Sequence, residues 1–170
     1  MGTVKLLFFV LCLAVAGSRR VPDRNLLISI AQKEVGVREL TGHNDGKRVE
    51  EYLRAVALKR GNPWCAAWIT WLFKQAGYEA PRTGWSPDLF PAKRCKKEGK
   101  PGDVIGIYFS SLGRIAHCGL IEKLHNDWVF SIEGNTNPAG SREGDGVYRR
   151  TRHKRGIRKI ADWTVDNMIK

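Results

Sequence analysis

Gly61–Tyr78, GNPWCAAWITWLFKQAGY, predicts the central helix of this chain and places a cysteine at its start. The periodicity indicates an amphipathic helix over Trp64–Ala76, closed by Gly77, with Pro63 in a first turn that tolerates a missing N–H. Its apolar face carries Trp68, Trp71 and Leu72 at helical spacing. Cys65 therefore lies where the backbone amides of a helix are unpaired.

Helical patterns precede this segment and strand patterns follow it. Apolar spacing predicts helices over Asp23–Val35, with Asp23 as N-cap, and over Lys47–Leu58. From Asp103 onward the predicted strands are DVIGIYF, AHCGLIEKL, DWVFSIEG, GVYRRTR and GIRKIADW. Helices followed by strands are typical of an α+β domain, in which N-terminal helices pack on an antiparallel sheet.

The N-terminal segment has the pattern of an export signal. An apolar run over residues 6–16 follows Lys5 and ends in Ala-Val-Ala, a small-x-small cleavage pattern. The run is shorter than the roughly 20 residues that a spanning helix needs, so an uncleaved anchor is the weaker alternative. We expect a signal peptide at 1–16, one catalytic domain at 17–170, and a secreted or periplasmic location.

The chain carries a strong positive charge. Lys and Arg number 29 against 17 Asp and Glu, a formal net charge of +12. Much of the excess lies in Arg149–Lys159, RRTRHKRGIRK, which is interpreted either as a solvated pair of edge strands or as a surface attracted to polyanions. No nucleic-acid recognition motif accompanies it. We expect electrostatic binding to an anionic cell wall or membrane, no specific nucleic-acid partner, and a monomer.

Three cysteines remain beyond the predicted signal peptide: Cys65, Cys95 and Cys118. None forms a C-x-x-C pair, which disfavours structural zinc, and a Cys95–Cys118 bridge is left open. At a helix start the thiol pKa falls from about 8.5 towards 7 or below, so thiolate is available at neutral pH. The alternative is that Cys65 is an inert core residue.

A base and an acid follow in the predicted strands. His117 lies in the apolar segment IAHCGLIEK, and Glu133 and Asn135 lie in SIEGNT, both on one side of an extended chain. A hairpin turn at residues 125–127 pairs these strands and sets Asn135 opposite His117, with Glu133 diagonal to it and within reach. Alternation turns Cys118 away from the side that His117 faces.

Four further residues are candidates for contact with substrate. Asn62 and Trp64 lie close enough to Cys65 to supply an oxyanion donor beside its own backbone N–H, and Trp64 could form a cleft wall. Trp85 and Ser86 lie in a predicted surface loop, Thr83–Pro91. That loop either lines a groove or is pinned into the core by Trp85.

The motifs NPWCAAW, GDVIGIYF, IAHCGLIE and the Glu-x-Asn of IEGNT resemble the CHAP domain, the cysteine, histidine-dependent amidohydrolase/peptidase branch of the papain-like superfamily. The resemblance spans about residues 25–163. It implies that Cys65 is the nucleophile, His117 the base and Glu133 the residue that orients it, with Asn135 in support. It also implies cleavage of peptidoglycan, either as an N-acetylmuramoyl-L-alanine amidase or as an endopeptidase.

No cofactor or metal is expected. Some CHAP domains hold calcium in an acidic loop, but TGHNDGKR here offers only Asp45 as a carboxylate, and calcium takes six to eight oxygens. Three alternatives to a wall hydrolase stay open. They are a cysteine amidase or peptidase on another substrate, a basic wall-binding module without activity, and a nucleic-acid-binding protein.

Overall fold

Three α-helices precede a six-stranded sheet in the computed structural model, which describes residues 22–165. The predicted signal peptide lies outside this range. The helices are α1 (Arg24–Glu34), α2 (Lys47–Arg54) and α3 (Cys65–Gln75). The strands are β1 (Cys95–Lys96), β2 (Val104–Phe109), β3 (Arg114–His125), β4 (Trp128–Thr136), β5 (Gly146–His153) and β6 (Lys159–Ala161).

The sheet is antiparallel, with strand order β1-β6-β2-β3-β4-β5. This arrangement confirms the predicted α+β class. Helix α3 contacts α1 and α2 as well as strands β3 and β4, so it lies between the other helices and the sheet. Among the described residues, no helix is long and apolar enough to cross a membrane.

Helix α3 is buried almost all round. Every residue from Cys65 to Phe73 is buried, as expected for a helix with packing on both sides. It begins one residue later than predicted, with Trp64 as its N-cap, so Pro63 precedes the helix instead of lying in its first turn. Gly77 follows the end with a positive φ of 87°, as a C-terminal glycine does.

Helix α2 is shorter than its apolar pattern predicts. It ends at Arg54, and Ala57 takes the left-handed conformation with φ of 58°. Beyond the end of the helix, Val56 and Leu58 pack closely against Gly84. A Cβ atom at position 84 would lie only 3.1 Å from Val56 Cγ2 and 2.6 Å from Leu58 Cδ1. The apolar pattern in the sequence extends past the end of the helix because these residues pack against the loop that contains Gly84.

The β3–β4 hairpin forms at the predicted turn. His125 pairs with Trp128 across Asn126, whose φ is 50°. A register shift between Ile121 and Lys123 then brings Leu120 opposite Ile132. This is the pairing that the sequence predicts for the part of the hairpin nearest the candidate site.

A buried ionic cluster ties α1 to the sheet. The Asp103 carboxylate has no exposed surface and forms two ion pairs. Its Oδ1 lies 2.9 Å from a guanidinium nitrogen of Arg24, and its Oδ2 lies 2.6 Å from Lys96 Nζ. Arg24 also contacts Asp162 at 2.6 Å. Asp23 caps α1 as predicted, since its carboxylate accepts the N–H of Asn25.

The basic segment 149–159 contributes to two strands in different positions. Strand β5 is at the edge of the sheet, as the sequence suggests, but β6 lies between β1 and β2. The interpretation as a pair of edge strands is therefore wrong for β6. The short strand β1 takes the edge on that side, because residues far apart in the chain pair there.

Candidate active site

Cys65 is the first residue of α3 and is 4% exposed. The N–H groups of a first helical turn have no intrahelical acceptor, so they surround the thiol with positive potential. Ser86 Oγ lies 3.3 Å from Cys65 Sγ. In the part of the chain that the structure describes, Cys65, Cys95 and Cys118 are all free, so the Cys95–Cys118 bridge does not form.

The pKa of Cys65 is lowered well below its ordinary value. The interaction with the Cys118 thiol is the largest cause and burial opposes it, while His117 and then Ser86 lower the pKa further. Burial and the neighbouring Cys65 sulfur raise the pKa of Cys118 well above its ordinary value. Of these two interacting sulfurs, Cys118 is therefore the one that keeps its proton and Cys65 the one that loses it.

Cys118 therefore does not face away from the site, and the prediction from strict strand alternation is wrong here. The register of β2 and β3 shifts between Ile107, opposite His117, and Tyr108, opposite Ile115. Ala116 is left as the extra residue. A bulge of this kind bends the strand and redirects side chains beside it, so both neighbours interact with Cys65.

The imidazole of His117 is fully buried and is held by one ring nitrogen. Nε2 lies 2.9 Å from Glu133 Oε2. The other nitrogen, Nδ1, is buried without a hydrogen-bond partner among residues 22–165. Burial lowers the pKa of His117, but the interactions with Cys65 and then with Glu133 outweigh it and raise the pKa to about 9.

Glu133 is an anion held by three partners. Besides His117, Ser131 Oγ donates to Oε1 at 2.6 Å, and Arg152 donates to both oxygens at 2.6 Å each. Burial raises its pKa, but Arg152 and then His117 lower it to about 2. Because an ionised carboxylate only accepts hydrogen bonds, Nε2 of His117 must carry a proton. Nδ1 is left to exchange a proton with the thiol.

Arg152 was not among the residues singled out from the sequence. It lay in a basic run interpreted as solvated, whereas its side chain is 17% exposed and reaches Glu133 from the neighbouring strand β5. The β4–β5 register shifts between Glu133 and Thr136, after which a loop separates the strands. The nine-residue loop over 137–145 is too long to fix the register of the two strands, so the sequence does not predict that pairing.

The side chain of Asn135 hydrogen-bonds to groups other than the imidazole, and its backbone is not extended as the prediction assumed. Its φ is 57°, left-handed, which breaks the alternation. Asn135 Oδ1 accepts the backbone N–H of Trp64 at 3.0 Å, and Nδ2 donates to Asn44 Oδ1 at 2.9 Å. Asn135 thus attaches β4 to the residue that caps α3.

A cavity of about 320 Å³ opens beside Cys65. Its lining residues are Val56, Leu58, Asn62, Pro63, Cys65, Thr83, Gly84, Trp85, Ser86, Arg114, Ala116 and Arg142. Asn62, Trp85 and Ser86 are thus placed at the cleft, and Trp85 is 50% exposed instead of being pinned into the core. Trp64 is wholly buried and stacks on Tyr52 at 5.5 Å, so it is not a cleft wall.

The His, Cys, Asp and Glu side chains of residues 22–165 are not arranged as a metal centre. Across the described residues, no group of three or more His, Cys, Asp or Glu side chains is arranged to hold a metal ion. The Asp45 carboxylate accepts the N–H and the hydroxyl of Thr41, at 2.9 and 2.8 Å, so it closes its own turn. The groups available for chemistry are the Cys65 thiolate, the His117 imidazolium and the Glu133 carboxylate.

Comparisons with known proteins identify fold neighbours only. No family model and no curated protein matches the chain. The crystal structure of Ly7917 is similar with a TM-score of 0.50 and 15% identity, over 83% of this chain and 62% of that one. The crystal structure of Ly7917 with the hydrolyzing product of MDP gives 0.49 and 13%, over 83% and 63%. This chain therefore spans less than two thirds of the length of Ly7917.

Proposed function

We propose that this protein is a peptidoglycan hydrolase of the papain-like CHAP type, exported through a cleaved signal peptide. It cleaves an amide of the wall peptide, as an N-acetylmuramoyl-L-alanine amidase or an endopeptidase. The observation that carries the proposal is the state of His117. Its Nε2 is held by an anionic Glu133, while its buried Nδ1 is unpartnered among the described residues and the ring interacts with Cys65.

The mechanism begins with attack of the Cys65 thiolate on the amide carbonyl. The oxygen that becomes negative is stabilised by the backbone N–H of Cys65, since the N–H of Trp64 is already bonded to Asn135. His117 gives its Nδ1 proton to the leaving amine, and the carbon–nitrogen bond breaks. Water, deprotonated by the same nitrogen, then hydrolyses the thioester and regenerates the thiolate.

The choice of peptidoglycan rests on the resemblance of the motifs around Cys65, His117 and Glu133 to CHAP domains. A positive surface suits an anionic wall, which attracts it electrostatically.

The test is digestion of purified sacculi with wild type, Cys65→Ala and Cys95→Ala. Cys95 is the matched control because its thiol donates to Phe90 O, away from the cleft. We expect new amino termini from wild type and Cys95→Ala, and a loss on the order of 10³-fold or more from Cys65→Ala. Mass spectrometry of the fragments identifies the bond that is cut.

Three other results would redirect the proposal. Binding to sacculi without cleavage would favour a wall-binding module. Cleavage of unrelated amides with intact sacculi would favour a different substrate. Release of amino termini that persists in Cys65→Ala would exclude the cysteine mechanism.

A further inference from the structure

The described part of the cleft beside Cys65 has positively charged side chains in its walls. Two arginines, Arg114 and Arg142, line it, and none of the Asp and Glu residues within 22–165 does. Cysteine attack on a neutral amide does not itself require a positive cleft. The charge therefore bears on which substrate is bound.

Arg114 is the cation free to act on a ligand. No carboxylate of the described residues lies within 4.0 Å of it, whereas Arg142 forms an ion pair with its neighbour Glu143. The Arg114 guanidinium uses one N–H on the carbonyl of Ile115, at 3.2 Å. A guanidinium has five N–H groups in a planar fork, so most of its donors stay available.

The guanidinium is also held in place. Its central carbon lies 4.0 Å from the centroid of the Trp85 ring, which is half exposed and lines the same cavity. Stacking of this kind restricts the rotation of the side chain. The stacked fork therefore lies at the rim of the cleft with its planar face on Trp85, and a planar carboxylate matches the geometry of its N–H groups.

We propose that Arg114, stacked on Trp85, is a specificity-determining residue that binds a carboxylate of the substrate next to the scissile amide. This inference rests on the proposed amide hydrolysis and narrows its substrate class to acidic peptides. Arg142, which lines the same cavity from the loop between β4 and β5, is already paired with Glu143 and is not assigned this role. Peptides in which that carboxylate is amidated are poor substrates.

The experiment compares soluble muropeptides with the same muropeptides after their carboxylates are converted to carboxamides. We expect wild type to cleave the acidic form with a kcat/KM about 10- to 100-fold higher. Arg114→Gln should lose that preference, because its kcat/KM falls for the acidic muropeptide and stays the same for the amidated one. The matched control is Arg158→Gln, since Arg158 is exposed and stacks on Tyr108 at 5.6 Å outside the cleft. It keeps the preference.

A binding measurement separates this inference from the hydrolase proposal. Calorimetry with Cys65→Ala protein, with and without Arg114→Gln, measures affinity for the acidic and amidated muropeptides without turnover. An acid preference that depends on Arg114 supports the subsite, even if no cleavage occurs with wild type. Equal binding of the two forms, or a preference that survives Arg114→Gln, overturns it, whether or not Cys65-dependent cleavage is found.

Discussion

At the scale of single residues, the candidate site depends on two pKa shifts in opposite directions. The pKa of Cys65 is lowered well below its ordinary value and that of His117 is raised to about 9. Each charged form favours the other, because a thiolate and an imidazolium attract within a buried site. The proton therefore lies on the ring over the neutral range, and the sulfur is ready to attack.

The rate should follow these two groups. Activity needs His117 protonated for the leaving amine, so kcat/KM falls as pH rises through about 9. Glu133→Gln removes the anion that helps hold the proton, so the alkaline limb moves to lower pH by about one unit or more. Initial rates on a soluble muropeptide from pH 5 to 11 measure both. An alkaline limb that stays in place in Glu133→Gln would contradict the assigned pair.

At the scale of elements, strand β5 supports the site from behind. Its Arg152 binds both oxygens of Glu133 on β4, and Glu133 in turn holds His117 on β3. Three adjacent strands thus set the orientation of one ring. Arg152 does not contact the thiol and acts as a positioning residue.

Arg152→Gln should lower kcat by up to about 100-fold, since small displacements of a reacting group are costly. It should also move the acid limb to higher pH. Arg152 holds the pKa of Glu133 at about 2, and without it the buried carboxyl takes up a proton more readily and no longer orients the ring.

Arg149→Gln is the control, because Arg149 pairs with Glu122 on the exposed face of the same strand. Its pH profile should match wild type. Arg152→Lys keeps the charge but loses the fork, so partial recovery is expected. If Arg152→Gln has the wild-type acid limb, Arg152 has only a structural role.

The ionic cluster of Arg24, Lys96, Asp103 and Asp162 joins α1 to the sheet and should contribute to the stability of the fold. Asp103 is fully buried against Arg24 and Lys96, so Asp103→Ala removes one of the two carboxylates that these cations share and leaves them Asp162 alone. We expect a loss of about 2 kcal/mol in the free energy of unfolding, measured by urea titration, because hydrogen bonds to charged groups are lost. Asp127→Ala, whose exposed carboxylate lies 3.8 Å from Lys154, should change it by about 0.5 kcal/mol or less. Equal losses would refute the cluster's role.

At the scale of the whole molecule, the dominant property is the positive charge: 29 Lys and Arg residues stand against 17 Asp and Glu, a formal net charge of +12. A field of this size acts on any extended anionic surface. This field is distinct from the proposed Arg114 subsite, because it does not depend on the position of one side chain.

Association with sacculi should therefore weaken with salt. In a sedimentation assay with Cys65→Ala, which separates binding from digestion, we expect most protein to leave the pellet between about 0.1 and 1 M NaCl, as the screening length falls from about 10 to 3 Å. Binding that is unchanged across this range would show that the charge does not hold the protein on the wall.

The sequence by itself predicts a helix with Cys65 in its first turn, the α+β class and the hairpin that brings Glu133 to His117. These features depend on local periodicity and on a turn whose residues are adjacent in the chain. Only the tertiary structure decides that Cys118 interacts with Cys65, that Asn135 binds the N–H of Trp64, that Arg152 binds Glu133, and that Arg114 lines the cleft. These contacts depend on a bulge, a left-handed residue and pairings across long loops. Short-range patterns carry no signal for them, because their geometry is set by packing between segments far apart in the chain.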